Sequence, residues 1–353
     1  MNKKIIFCGG GTLGPVTPLL AIIEAWQRKD SSVKFVFVGT PHGPERELME
    51  KEGIKFYSLP VAKLVRYPSL DWLWLPFRFV AAKWVAWSIL KKEKPNLIIS
   101  AGGFTAVPLI LVGWFLKIPA WIHQQDVRPI LSNKITAPFA KLITVAWSKS
   151  LKDFPKAKLI GNPSRLSFLK TSKEEAIGFF SLNKNKPTVL ILGGGTGSVW
   201  LNERAAEISD ELINLANVIH LTGKGKMIEH LKHLGGDYKV FELLTEEMPL
   251  AFAAADLVVC RAGMGTITEL AATKKAAIII PLPNSPQEDN VEVLRDAAII
   301  LEQEKTSSVD LLIKIKSLLS NKQEMKNLGE NLGKVLKTDV ALEMVGLGER
   351  VER

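Results

Sequence analysis

The stretch Thr188-Val189-Leu190-Ile191-Leu192-Gly193-Gly194-Gly195-Thr196-Gly197 runs from an apolar, β-branched segment straight into a glycine cluster, and a helical pattern follows. A buried parallel strand that ends in a tight turn and opens a helix is the start of a βαβ unit. The same arrangement stands at the beginning of the chain, where Lys4 to Cys8 leads into Gly9-Gly10-Gly11-Thr12 and a helical pattern spans Leu19 to Arg28. Two copies predict an α/β chain with two Rossmann-like domains in tandem, their glycine turns facing one cleft.

Outward from these landmarks, Val33 to Val38, Leu97 to Ile99, Ala120 to Ile122 and Leu142 to Val145 read as further strands of the first domain. Val218 to Leu221, Val240-Phe241, Leu257 to Cys260 and Ala277 to Ile280 read as strands of the second. Helical stretches such as Arg46 to Glu52 and Val107 to Leu116 separate strands. Turn residues Gly161-Asn162-Pro163 mark the linker. The expected division is 1–162 for an N-terminal acceptor- and membrane-binding domain and 163–337 for a C-terminal nucleotide-sugar domain, with 338–353 packing back on the first.

A length of 353 residues suits two domains. With 47% apolar and 23% charged residues the chain has the profile of a globular protein, which excludes disorder, collagen and coiled coil. Two cysteines, Cys8 and Cys260, allow neither a disulfide framework nor a cysteine zinc site. No secretory signal is visible, because Lys3-Lys4 is followed by only a short apolar run before the glycines. The uncharged stretch Pro95 to Leu116 is long enough to span a bilayer, but Gly102-Gly103 and Pro108 divide it into strand, turn and helix. The net charge of +10 suits an anionic partner. No RNA-binding motif or helix-turn-helix is present, so that partner need not be a nucleic acid.

A glycine-rich strand-to-helix turn lets backbone N–H groups and the helix dipole face a phosphate; taken singly, each turn also reads as a tight bend needing positive φ. Neither copy is a strict dinucleotide fingerprint, which disfavours a nicotinamide cofactor, and no other cofactor is implied. More specific is Cys260-Arg261-Ala262-Gly263-Met264-Gly265-Thr266-Ile267-Thr268-Glu269. A strand ends at Cys260, the glycines turn, and a helix is expected from Thr266. Glu269, one turn in, is placed to accept two hydroxyl protons from a ribose or, alternatively, to compensate the helix dipole.

This segment resembles the nucleotide-sugar site of the MurG family, and the resemblance extends over almost the whole chain. Gly10-Gly11-Thr12 with Gly14 and Pro18 is similar to the family's first glycine loop. Gly39-Thr40 with Gly43 and Glu45 fits its second turn, and Gly102-Gly103-Phe104 with Pro108 its third. His123-Gln124-Gln125-Asp126 with Asn133-Lys134, Gly161-Asn162-Pro163 with Arg165, and Gln287 with Asn290 complete the pattern.

The resemblance implies a GT-B architecture and metal-independent, inverting transfer of N-acetylglucosamine from UDP-N-acetylglucosamine to undecaprenyl-pyrophosphoryl-muramyl-pentapeptide in peptidoglycan synthesis. It implies that Arg165, Gly194, Gly195, Thr196, Gly197, Met264, Gly265 and Thr266 hold the diphosphate and Glu269 the ribose. Backbone near Thr245 would read the uracil, and Gln287 and Asn290 the sugar hydroxyls. Thr12, Gly14 and Asn133 would lie on the acceptor side. No cluster with metal-ligand spacing offers an alternative.

The chain departs from the family pattern at five places. Pro15 and Pro286 stand where the family has histidines, Gly195-Thr196 replaces Ser-Gln, and Gln124 and Asp126 replace Glu and Asn. Asp126 is the new ionisable group near the expected base, so it is expected to accept the proton, with His123 orienting it or serving as the second candidate base. Capping of the following turn is the alternative role for Asp126.

Between Lys63 and Lys94 lie Lys63, Arg66, Arg78, Lys83, Lys91, Lys92 and Lys94 against only Asp71 and Glu93, with Trp72, Trp74, Trp84 and Trp87 among them. Interfacial tryptophan beside basic residues suits an anionic membrane surface. Trp72, Trp74, Arg78, Lys83 and Trp84 are the expected contacts, on the cytoplasmic face of the cell membrane. Rival functions are a diacylglycerol glycosyltransferase, a GT-B-fold UDP-N-acetylglucosamine epimerase and a non-catalytic nucleotide- or lipid-binding homologue.

Overall fold

The computed structural model describes residues 3–61 and 75–352. The chain forms two compact units, one built from residues up to Pro163 together with Asp339–Arg353, the other from Ser164–Thr338.

The first unit holds a parallel sheet of β1 (Lys4–Cys8), β2 (Lys34–Gly39), β3 (Lys55–Ser58), β4 (Leu97–Ser100), β5 (Ala120–Gln124), β6 (Leu142–Val145) and β7 (Lys158–Leu159) in the order β3-β2-β1-β4-β5-β6-β7. Parallel strands covered on both faces need near-continuous apolar runs. Ile5, Ile6, Phe7 and Cys8 of β1 and Leu97, Ile98 and Ile99 of β4 accordingly have no exposed surface. The order turns back between β1 and β4, which pair in register from Ile5 with Leu97 to Cys8 with Ser100. In such sheets the ligand crevice lies beyond the strand ends at this reversal.

The C-terminal helix Ala341–Glu352 belongs to this unit and packs on the helix Thr17–Lys29. Gly348 makes room for Trp26, whose ring stands 2.6 Å from where a Cβ would be. Ion pairs Lys29–Glu349 at 2.7 Å and Lys3–Glu352 at 2.6 Å flank the contact.

The second unit has β8 (Thr188–Leu192), β9 (Asn217–Leu221), β10 (Tyr238–Phe241), β11 (Leu257–Cys260), β12 (Ala276–Ile279) and β13 (Ile299–Ile300) in the parallel order β10-β9-β8-β11-β12-β13. Its reversal lies between β8 and β11, which places the turns after Leu192 and Cys260 side by side. The uncharged stretch from Pro95 contains β4, the glycine turn and the helix Ala106–Phe115. Among the described residues no helix is long and apolar enough to cross a membrane.

Candidate functional site

In the second unit, the chain leaves β11 through Arg261-Ala262-Gly263, and the helix begins at Met264 rather than at the expected Thr266. Gly263 is its N-cap in an extended conformation, and no side chain caps it. The first-turn N–H groups of Met264, Gly265 and Thr266 are therefore not taken by a cap, which makes this turn a ready receptor for an anion. Glu269 sits in the second turn, not the first, so compensation of the helix dipole is a poor account of it. It keeps part of its surface open to solvent, yet burial pushes its pKa up to about 8, against the opposing charge of Arg165. A carboxyl held near neutrality beside a cation and a row of N–H donors is suited to a polyhydroxylated, anionic ligand.

The turn after β8 is built differently. Gly197, at φ +70°, leaves no room for a side chain, since a Cβ would stand 2.1 Å from the Thr222 carbonyl oxygen. Ser198 caps the helix Val199–Glu207 by accepting from the Leu201 N–H. Lys226 donates to the carbonyls of Thr196 at 2.8 Å and Gly197 at 3.2 Å, stiffening the loop from behind.

One expectation in this unit is corrected. Asn290 has no exposed surface, and its amide donates to the Ala262 carbonyl at 3.2 Å. It ties the helix Pro286–Glu292 to the β11 turn instead of meeting sugar hydroxyls. The Thr245 N–H already donates to Glu247 at 3.3 Å, leaving the carbonyl as its backbone group for a base edge. Gln287 is half-buried, and its Oε1 receives the Leu282 N–H at 2.9 Å, so its Nε2 is the end that can face outward.

In the first unit, the turn after β1 is drawn inward. Thr12 is exposed and Gly14 half-buried, but the Gly11 N–H is directed to Glu45 Oε1 at 3.3 Å. The same oxygen receives the N–H and hydroxyl of Thr40 at 2.7 and 2.6 Å. That carboxylate occupies an amide the phosphate reading had left for a ligand. His123 is also corrected: it is fully buried, and its ring nitrogens are engaged by Thr144 at 2.9 Å and Asn162 at 2.8 Å. Burial outweighs both bonds and lowers its pKa to about 4, so it is a neutral core residue with both ring nitrogens engaged within the fold. Asn133 is buried as well, donating to the His123 carbonyl and to Gln124 Oε1. Its amide nitrogen braces the β5 turn, while its buried Oδ1 has no partner among the described residues. Asp126 is half-buried in that turn.

Both halves of the chain match one family, residues 5–145 the glycosyltransferase family 28 N-terminal domain and residues 188–342 its C-terminal domain. A Clostridium perfringens (strain SM101 / Type A) protein is 39% identical over 332 residues, covering 92% of each chain. It is named UDP-N-acetylglucosamine--N-acetylmuramyl-(pentapeptide) pyrophosphoryl-undecaprenol N-acetylglucosamine transferase. Its namesake from Clostridium botulinum (strain Langeland) is 35% identical over 95% of this chain and 99% of its own. The crystal structure of MurG from Acinetobacter baumannii matches over 99% of both chains with a TM-score of 0.73 at 24% identity. The chain belongs to the MurG family. A UDP-GlcNAc 2-epimerase from Neisseria meningitidis shares the fold at a TM-score of 0.70 and 13% identity, over 98% of this chain and 99% of its own. The architecture alone therefore does not choose the reaction.

Two features of this MurG-family chain were missed in sequence. Arg261 is buried and spends its donors on Ser198 Oγ at 3.1 Å, the carbonyls of Ile280 and Pro281 at 3.1 and 3.2 Å, and Gln303 at 2.5 Å. It fastens the cap of the helix after the glycine turn to the strand beside it. An arginine at the buried end of a strand was the available signal. The second feature is the extent of the apolar face. Phe77, Val80 and Trp84 on the helix Leu75–Glu93 are 69%, 54% and 73% exposed, and Arg78 and Lys83 beside them are exposed too. The face continues over Trp114 and Phe115 of the next helix, and Leu131 and Ile135 of the one after. Trp72 and Trp74 lie outside the described residues. Among the described residues, no three His, Cys, Asp or Glu side chains gather as a metal site.

Proposed function

We propose that this chain transfers N-acetylglucosamine from UDP-N-acetylglucosamine to the sugar hydroxyl of undecaprenyl-pyrophosphoryl-muramyl-pentapeptide, inverting the anomeric centre without a metal. The observation that carries the donor assignment is the uncapped helix start at Met264–Thr266, with Glu269 a turn further on and Arg165 near it. As the bond from the anomeric carbon to the diphosphate breaks, its electron pair stays on UDP. The N–H groups and Arg165 stabilise that charge, the task a metal performs elsewhere. Glu269 accepts the ribose hydroxyls, Gln287 meets the transferred sugar, and the Thr245 carbonyl meets the base.

The acceptor oxygen bonds to the anomeric carbon and loses its proton, which Asp126 takes. Pro15 and Pro286 cannot do this, and His123 is closed off. The exposed apolar and basic face of helices Leu75–Glu93 and Ala106–Phe115 supports attachment to an anionic bilayer surface, where a lipid-linked acceptor resides; we place the enzyme peripherally on the cytoplasmic face of the cell membrane. UDP release from UDP-N-acetylglucosamine tests the reading. It is expected to rise on adding the muramyl-lipid acceptor and not on adding diacylglycerol. Release with diacylglycerol alone, or conversion of the donor to an epimer without release, would replace it.

A further inference from the structure

The glycine turn after β8 is held from one side only. Gly193, Gly194 and Gly195 follow one another, and Gly194, at φ +78°, has nothing within 4 Å of where a Cβ would stand. Glycine has more conformational freedom to lose than any other residue, and Gly195 adds one where the family pattern has serine. Left to itself, such a turn can rotate a peptide and present a carbonyl oxygen to an anion in place of an N–H.

The side that is held rests on the turn after β9, residues 222–226. A Cβ on Gly223 would stand 2.6 Å from both the Thr196 carbonyl oxygen and the Gly197 Cα. That second turn is itself fixed. The Thr222 and Gly223 N–H groups donate to the Phe241 and Glu242 carbonyls, each at 2.9 Å. Asn202 Nδ2 donates to the carbonyls of Thr222 at 2.9 Å and Lys226 at 3.3 Å. Those two carbonyls settle the orientation of the Asn202 amide, so its Oδ1 accepts from His220 Nε2 at 3.1 Å; His220 Nδ1 then accepts from the Tyr238 hydroxyl at 2.8 Å. Lys226 thus reaches the glycine turn from a rigid base, and its ammonium takes the Thr196 and Gly197 carbonyls together. With both oxygens held, neither peptide can turn over. Arg261 ties this braced turn, through Ser198 Oγ at 3.1 Å, to the turn that opens the helix at Met264.

We propose that Lys226 is a positioning residue for the diphosphate of the nucleotide-sugar donor. It acts through the backbone of Thr196 and Gly197, ordering the turn after β8 before the ligand arrives, so that binding does not have to supply that order. This rests on the donor reading above.

Titrations with UDP and with uridine test it, since only UDP carries the diphosphate. Lys226→Met keeps the length of the side chain and removes both bonds; it should weaken UDP about tenfold, the value of one or two net hydrogen bonds, and leave uridine unchanged. Lys226→Arg, which can reach two carbonyls with one fork, should recover most of the loss. Glycine-selective amide spectra of the ligand-free protein supply the readout that separates bracing from direct contact. Lys226→Met should shift or broaden the signals of Gly194, Gly195 and Gly197, and arginine should restore them. A weaker UDP complex with those signals unmoved would mean that the ammonium meets the diphosphate itself and would overturn the proposal. Equal weakening of UDP and uridine, or none of either, would overturn it as well and leave Lys226 with a general structural role. A wild type that binds UDP no more tightly than uridine would strike the donor reading, and this inference with it.

Discussion

At the residue scale, the side chains with exposed or half-buried chemistry separate from those whose polar atoms the fold has already consumed. Asn290 and His123 are visible in sequence as polar residues in suggestive motifs, but their partners come from distant segments such as Asn162 and Ala262. No local pattern reports that, which is why the site's polar inventory was legible and its division into contacts and braces was not. Glu269 gives a pH signature. Its folded, ligand-free pKa is about 8, and hydroxyl donors favour the ionised form. Affinity for UDP-N-acetylglucosamine should therefore tighten as pH rises from 6.5 toward 8 and level off above it, while Glu269→Gln removes the slope. Calorimetry showing a flat profile in the wild type would detach Glu269 from the ribose. Glu269→Ala should weaken binding by about 1.5–3 kcal/mol above pH 8, the value of a hydrogen bond to a charged group. Asp126→Asn should cut transfer by about 10²-fold or more with the donor Kd unchanged. Activity kept within a few-fold would leave Asp126 as a turn cap.

At the scale of elements, strands with continuous apolar runs were readable to the residue, as Lys4–Cys8, Leu142–Val145, Thr188–Leu192 and Leu257–Cys260 show. The strands that escaped, β3, β7 and β13, are sheet edges of two to four residues. An edge strand has one neighbour, so Lys55 and Lys158 stand there without breaking a buried run, and the apolar signal is lost. The start of the helix at Met264 was displaced because a glycine N-cap lacks the hydroxyl or carboxylate that marks a helix start in sequence. The helix Leu75–Glu93 carries its own prediction. Replacing Phe77, Arg78, Lys83 and Trp84 together should release the protein from vesicles containing anionic lipid and leave the donor Kd unchanged, because both the apolar insertion and the charge attraction are removed. Equal sedimentation of variant and wild type would show that another surface makes the attachment.

For the whole molecule, acid should act on the two units unequally. In the first unit, His123 is held neutral down to a pKa of about 4, so stability present above pH 6.5 is lost as pH falls toward 4. Glu93 adds a loss below pH 4.5, because hydrogen bonds from Lys4, Lys55 and Tyr57 outweigh its burial and hold it at about 2. In the second unit, burial lowers His220 to about 4 as well, but Glu269 binds a proton in the folded state from about pH 8 down and offsets that loss. Hydrogen exchange between pH 7 and 4.5 should therefore show β1, β4 and β5 losing protection before β8 and β11, and the reverse order would refute this assignment. The repeated strand, glycine turn and helix made the two-fold α/β architecture legible, while the proposed reaction is told from its rivals by the acceptor used. Mass spectrometry of the products formed from UDP-N-acetylglucosamine with the muramyl-pentapeptide lipid is the direct test of that. The account predicts the acceptor gaining one N-acetylhexosamine with release of UDP; an unmodified acceptor beside an epimerised or hydrolysed donor would contradict it.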